Sequence, residues 1–411
     1  MKVQQLKTFC SMKIHLFVLS ISILVFGGFA FSCGKSNYQE APTIINSKKL
    51  NIQFEYYELG GSEIDTIGYT IFDTYAFADQ DYLLVFNTRN RQIEIYDLSG
   101  RKRLFAKPLR NFFNTTDYGE ILGVHFYSFD SIFVSQERMV TILDTNTVLR
   151  QIPLNVPEKR KWSSGGTAAD LMYLYDPGTL FPIRYDPKAN GVLLHSFCIG
   201  CGGENKKYFH SPIEALVPLE GGAIEYYPIS YSKLYLDDYY GFAKHIYRIT
   251  VGDTSFISFI TDPNIYGIDR REKEKFVIGG RSPSQTKDLF PLAKKHKRDT
   301  EEKMNHLSSI PLYRDIRYDP HRKLFYRFFS DYQPIKNADG TYNSFGDKAL
   351  SLLVFNESFE LISEIDLGKY KYISNKSFVT KDGLYLSASH YKYPERSNKK
   401  LQFDVLKISV P

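Results

Sequence analysis

The feature that most constrains this chain is a recurring unit: four short apolar runs of strand length, joined by connections too short for a crossover. Tyr75–Leu109 carries it most plainly. Tyr75–Ala78 leads through Asp79-Gln80-Asp81 to Tyr82–Asn87. A turn at Thr88–Arg91 leads to Gln92–Leu98, and Ser99-Gly100 leads to Arg103–Leu109. Parallel neighbours need a crossover of about a dozen residues or more, so these connections suit antiparallel hairpins. The abundance of Tyr (31) and Phe (31) favours the same reading, because aromatic side chains fit a pleated, half-buried surface.

The unit recurs. Gly123–Leu154 repeats it with turns at Asp130, Gln136-Glu137 and Asp144–Asn146. A third unit opens at Phe181–Gly200, and a fourth is expected from Glu225–Tyr239 with His245–Ile260. A fifth combines Asp315–Tyr332 with Lys348–Leu367, and a sixth Lys376–Tyr393 with Leu401–Val410. Meanders of roughly 40–60 residues, repeated along a chain, are the requirement of a β-propeller. The expected fold is all-β: a six-bladed β-propeller of four-stranded antiparallel blades over residues 50–411. Asn51–Leu59 is a spare strand, expected to join the last blade and close the ring, which removes an exposed edge.

The pentapeptide Ile-Arg-Tyr-Asp-Pro occurs twice, at Ile183–Pro187 and Ile316–Pro320. In each copy it reads as an innermost strand entering its first hairpin. Pro fixes φ for the turn and Asp accepts backbone bonds there. The arginine is the one letter that the turn does not require. Asp269–Ser309 breaks the pattern with charged runs and reads as an insert between blades four and five. A solvated helix is expected around Leu292–Leu307, with Thr300 as a cap and Glu301 and Glu302 as first-turn acids.

The chain starts with a basic, apolar leader. Leu16–Phe31 is an apolar run of 16 residues, short of the ~20 a spanning helix needs and long for a signal core. Ala30-Phe31-Ser32-Cys33 resembles a bacterial lipobox, which implies cleavage before Cys33 and lipid attachment to it. Residues 1–32 are then a lipoprotein signal peptide, with Met12 an alternative start, and residues 33–49 a polar tether. The mature protein would be anchored to the membrane rather than spanning it. Gly34 after the cysteine favours the outer membrane by analogy with enterobacterial sorting; the periplasmic side and the cell surface both stay open. The formal charge of +6 falls to about +3 without the three leader lysines, which gives no nucleic-acid footprint. Gly34-Lys35-Ser36 lacks the upstream glycine and the strand–loop–helix context of a phosphate loop.

Leu312–Phe329, following the charged segment, is similar to the hallmark region of a Bacteroidetes family of six-bladed β-propeller lipoproteins catalogued as a domain of unknown function. Tyr313, Tyr318, Asp319, Arg322, Tyr326 and Arg327 carry the resemblance. It implies fold and envelope location and no activity.

Candidate chemistry is sparse. Cys198 and Cys201 form a C-x-x-C pair, read as a candidate disulfide in an oxidising envelope, with a zinc site or free thiols as the alternatives. Arg184 and Arg317 are placed to line a central channel, and Arg327 needs partners if it is buried. With Tyr318 they form the candidate ligand site, either an anion clamp or a set of salt bridges between blades. No metal site, cofactor motif or catalytic signature such as H-E-x-x-H or G-x-S-x-G is legible. Three classes remain. The first is an envelope binding module for a small molecule, glycan or peptide. The second is a scaffold for an envelope protein complex. The third is a hydrolase or lyase using the axial cavity, for which no repeated acid or histidine argues.

Overall fold

The computed structural model describes residues 40–60, 69–88, 90–112, 121–136, 139–154, 172–173, 183–198 and 206–409. The leader with Cys33, the single Trp162 and Cys201 lie outside them. The described residues form an all-β six-bladed propeller of four-stranded antiparallel sheets.

Blade one comprises Tyr69–Phe77, Gln80–Asn87, Gln92–Asp97 and Lys102–Pro108, from the inside outwards. Blade two comprises Ile121–Ser128, Ser131–Gln136, Met139–Leu143 and Val148–Pro153. Blade three has Arg184–Asp186, Gly191–His195, Glu214–Pro218 and Glu225–Tyr226; blade four has Ile246–Val251, Thr254–Phe259, Ile265–Asp269 and Glu274–Ile278. Blade five has Leu312–Asp319, Leu324–Ser330, Leu350–Asn356 and Leu361–Gly368. Blade six has Phe378–Thr380, Gly383–Ser387 and Lys400–Ser409, and takes its outermost strand from Asn51–Gly60. That strand pairs in unbroken register from Asn51 opposite Ser409 to Gly60 opposite Lys400, so the spare strand closes the ring.

Two unit boundaries differ from the sequence reading. Glu225–Tyr226 is the outermost strand of blade three, not the start of blade four. Glu274–Ile278, inside the stretch read as an insert, is the outermost strand of blade four. Glu274–Val277 are exposed on both faces of this outermost strand, so charged residues such as Glu274 and Lys275 are tolerated and mask the strand in sequence. The helix of the charged stretch spans Thr300–Ser309. Asp299, rather than Thr300, caps it by accepting from the Glu302 N–H. Its second half, His306–Ser309, is buried, so the helix is only half solvated. Residues 40–48, expected within the tether, lie along blades four and five: Leu361 donates to the Ile44 carbonyl, and Arg281 donates through its backbone to Thr43 Oγ1. Among the described residues, no helix is long and apolar enough to cross a membrane.

Why a propeller core reads as continuous apolar runs is visible in Gln80–Asn87. Successive side chains of a strand point to opposite faces. Leu83 and Val85 enter the cluster shared with Tyr385 and Phe403 of blade six. Leu84 and Phe86 enter the cluster shared with Val124 and Phe126 of blade two. Both faces of a blade are buried, so alternation disappears from the second strands; each fully buried aliphatic or aromatic side chain contributes roughly 1.5–3 kcal/mol.

One turn type is written several times. In Asp97, Asp186, Asp269 and Asp319, Oδ1 accepts one or two backbone N–H groups two or three residues on. Four residues after each, Arg101, Asn190, Lys273 and Lys323 adopt positive φ. The Asp-Pro of the pentapeptide is thus one spelling of a turn that Asp269-Arg270 makes without proline.

Candidate axial binding site

All six inner strands, or the turns beside them, contribute to one axial cavity of about 510 Å³. Its wall holds three aspartates, Asp73, Asp81 and Asp315, and three arginines, Arg184, Arg248 and Arg317. The arginines come from three successive blades.

Arg184 projects from the short inner strand of blade three. Its Nη1 donates to Asp73 Oδ1 of blade one at 3.3 Å and lies 3.0 Å from His125 Nδ1 of blade two. Asp73 Oδ2 accepts from the Phe126 N–H at 2.8 Å and sits 2.5 Å from His125 Nδ1. Burial alone would raise the Asp73 carboxyl, but His125 and Arg184 outweigh it and hold the group down at about 2. Burial pushes the His125 imidazole below its ordinary value, with Asp73 opposing. The consistent state is a carboxylate facing the Arg184 charge and accepting the Nδ1–H of a neutral imidazole. Nδ1 then has no lone pair for Arg184, whose closeness to it is packing. The Arg184 side chain keeps 40% exposure, and its Nε and Nη2 meet no partner among the described residues.

Arg317 is held differently. Its Nε donates to the Ser377 carbonyl at 3.1 Å and Nη1 to the Ile316 carbonyl at 3.2 Å. Nη2 donates to Asp315 Oδ1 at 3.1 Å and to the Asn375 carbonyl at 3.5 Å. The guanidinium therefore ties blade five to blade six along the cavity wall. Tyr318 also lines the cavity; its ring packs on Phe325 and its hydroxyl donates to Glu357.

Arg327 is not part of the cavity wall. It points from the second strand of blade five towards blade four, fully buried. Nε donates to Ser258 Oγ, Nη1 to the Pro263 and Gly280 carbonyls, and Nη2 to the Asp262 and Asn264 carbonyls. Tyr313 lies under the guanidinium at 4.3 Å. Such a bonding set makes Arg327 an inter-blade fastener, which replaces the ligand role expected for it.

Sequence reasoning missed Arg248, Asp73, His125 and Asp315. Arg248 forms a fully buried ion pair with Glu214, which also accepts from Ser255 Oγ. Burial lowers the Arg248 value and Glu214 opposes that. For Arg248 and His125 one signal was available: each is an ionisable residue inside a largely apolar inner strand, as in Ile246-Tyr247-Arg248-Ile249. Asp315 sits where the pairing of Leu312–Asp319 shifts register between Tyr313 and Ile316, and no sequence letter marks that bulge. Cys198 pairs through its backbone with Met172; the thiol question falls outside the described residues because Cys201 does. Among the described residues, His296, Asp299 and Glu302 bring ligating atoms within 4.8 Å of one another on the largely exposed start of the helix.

The fold and its axis define the class: a six-bladed β-propeller with an axial cavity lined by charged and apolar side chains. Within that class, the family model DUF4221, a domain of unknown function, matches residues 195–366. The crystal structure of a DUF4221 family member from Bacteroides vulgatus ATCC 8482 is similar, with TM-score 0.70 and 18% identity, covering 89% of this chain and 100% of that one. A putative exported protein from Bacteroides fragilis NCTC 9343 is more distant, at TM-score 0.49 and 8% identity over 87% of this chain and 95% of that one. No curated protein matches the sequence. The family resemblance read from Leu312–Phe329 therefore stands. All six hallmark residues work within blade five or at its borders: Asp319 accepts from Arg322 and Tyr326, while Tyr313 supports Arg327.

Proposed function

We propose that the protein is an envelope-anchored binding module whose ligand occupies the axial cavity, with Arg184 as its principal contact. The observation that carries this is the unengaged edge of Arg184, facing a cavity of a size usual for small-molecule sites. A guanidinium edge left free beside an occupied one is a ready donor pair for a planar acceptor. Tyr318 offers ring surface in the same wall, and Arg317 sets the wall's shape rather than gripping the ligand.

The anchor in this reading is a lipid on Cys33, supported by the leader sequence, with the outer membrane as destination. Metabolic labelling with an alkyne fatty acid tests it: the wild type takes the label and Cys33→Ser does not. Label on both variants, or on neither, removes the anchor. For binding, the protein is purified natively and its small-molecule content compared with that of Arg184→Gln by mass spectrometry. A compound held stoichiometrically by the wild type and lost from the folded variant supports axial binding. Identical content in the two overturns it.

A further inference from the structure

The arginines of the axial wall are engaged, with one exception. Arg248 pairs with Glu214, and Arg317 gives its donors to Asp315 and to the carbonyls of Ile316, Asn375 and Ser377. Among the described residues no lysine lines the cavity. What is left is one donor edge, Nε and Nη2 of Arg184, on a side chain that keeps 40% exposure. Those two groups share one side of the guanidinium plane, so their N–H bonds run parallel and match both oxygens of a single carboxylate. A phosphate or a dicarboxylate brings a second charge and meets no second free edge among the described residues. It meets Asp73, Asp81 and Asp315 instead.

Much of the remaining wall is apolar. Phe72, Leu122, Ile249, Val251, Tyr318 and Val379, from five blades, line the cavity and are only half-buried. Covering such surface is favourable in proportion to its area. These side chains are arranged along the axis. Val251, Tyr318 and Val379 stand at, or one residue before, the ends of their inner strands. The turns that follow place Gly252, Pro320 and His321, all exposed, at the rim of the cavity. Arg184 is held below that rim, since its partner Asp73 stands four residues before the end of Tyr69–Phe77.

From this juxtaposition we infer that the axial cavity takes a monocarboxylate with an apolar body: the carboxylate on Nε and Nη2 of Arg184, the hydrocarbon along the half-buried apolar side chains towards the rim. This rests on the axial-binding reading above and narrows its ligand class. Asp73 is then a positioning residue. It occupies Nη1 and leaves the opposite edge of the guanidinium for the ligand.

The test is calorimetric titration of the purified protein with hexanoate, hexanamide, butanoate, adipate and inorganic phosphate, all in one buffer. Hexanoate is expected to bind at least about 10-fold more tightly than hexanamide, the usual gain of a charge-assisted bond over a neutral one. It should also bind more tightly than butanoate, by about fourfold for each added methylene. Arg184→Gln, shown to be folded by its circular dichroism, should lose the preference for acid over amide and keep the dependence on chain length. Equal binding of acid and amide by the wild type, tighter binding of adipate or phosphate, or indifference to chain length overturns the monocarboxylate. Absence of binding by every probe also overturns it. The axial site itself is judged by the native-content comparison, so the two failures are distinguishable.

Discussion

The two copies of Ile-Arg-Tyr-Asp-Pro have the same letters, the same turn and different surroundings. In both, the Asp holds the hairpin and the residue four positions on takes positive φ. The rest diverges. Asp319 completes its bonds within blade five, to Arg322 and the Tyr326 hydroxyl, with no exposure. Asp186 turns its second oxygen to Arg270 of blade four. Arg317 is bound to the backbone of blade six, whereas Arg184 keeps half its guanidinium free among the described residues. Tyr318 packs on its own blade, and Tyr185 packs on Tyr127 and Phe133 of blade two. One copy is a fastener and the other borders the cavity with a free donor. A repeated sequence therefore fixes the backbone it makes, not the work its side chains do.

The largest way to break this comparison is at the aspartates. Asp319→Ala removes a fully buried carboxylate, leaving the buried Tyr326 hydroxyl and two turn amides without their acceptor and Arg322 with only the Thr380 and Lys381 carbonyls, and should cost about 2–4 kcal/mol in denaturant unfolding. Asp186→Ala loses the same turn bonds but leaves Arg270 with Ser255 and Gly252, so about 1–2 kcal/mol is expected. Equal losses would mean that the copies are structurally equivalent. The arginines come next. Arg317→Met should cost about 2–3 kcal/mol, since three backbone carbonyls and buried Asp315 lose their donor. Arg184→Met, on a half-exposed group, should cost less than about 1 kcal/mol.

The acid limb of stability sharpens the contrast further. Asp73 is held at about 2, below its unfolded value. Its contribution is therefore full above the unfolded carboxylate pKa and is lost as pH falls through the folded value, on the order of 2 kcal/mol in all. His125, also lowered by burial, adds to the same direction: the unfolded chain binds its proton first as pH drops below the ordinary imidazole range. Chemical unfolding between pH 7 and pH 2 should show the decline, and Asp73→Asn should flatten its lower part. Arg317→Met should lower the whole curve without changing that slope. The smallest effect is at the turn ends. Lys323→Gly should stabilise by about 0.5–1 kcal/mol by relieving positive φ, while Asn190→Gly, at a residue that tolerates that region, should be near neutral.

Much of the architecture could be read in advance because it is local. Strand length, hairpin turns and the continuous apolar second strands depend on neighbours a few residues away. The closing strand was legible as one strand too many at the start of the ring. What misled was polarity at the periphery: Glu274–Ile278 reads as charged insert because this outermost strand is held by its pairing and not by burial, with Glu274–Val277 exposed and Ile278 half-buried. Arg327 misled in the other direction. Five hydrogen bonds to residues 47–69 positions away bury a charge that its aromatic neighbours in sequence give no means to predict.

By itself, then, the sequence determined the repeat, the turn and the number of blades, since each is set by φ preferences and side-chain alternation within a few residues. Only the tertiary structure decided which arginine is free. Asp73 lies 111 residues from Arg184, and Ser377 lies 60 from Arg317. Closing the ring is what brings one beside the other, so the same pentapeptide meets a side-chain carboxylate in one blade and a backbone carbonyl in another.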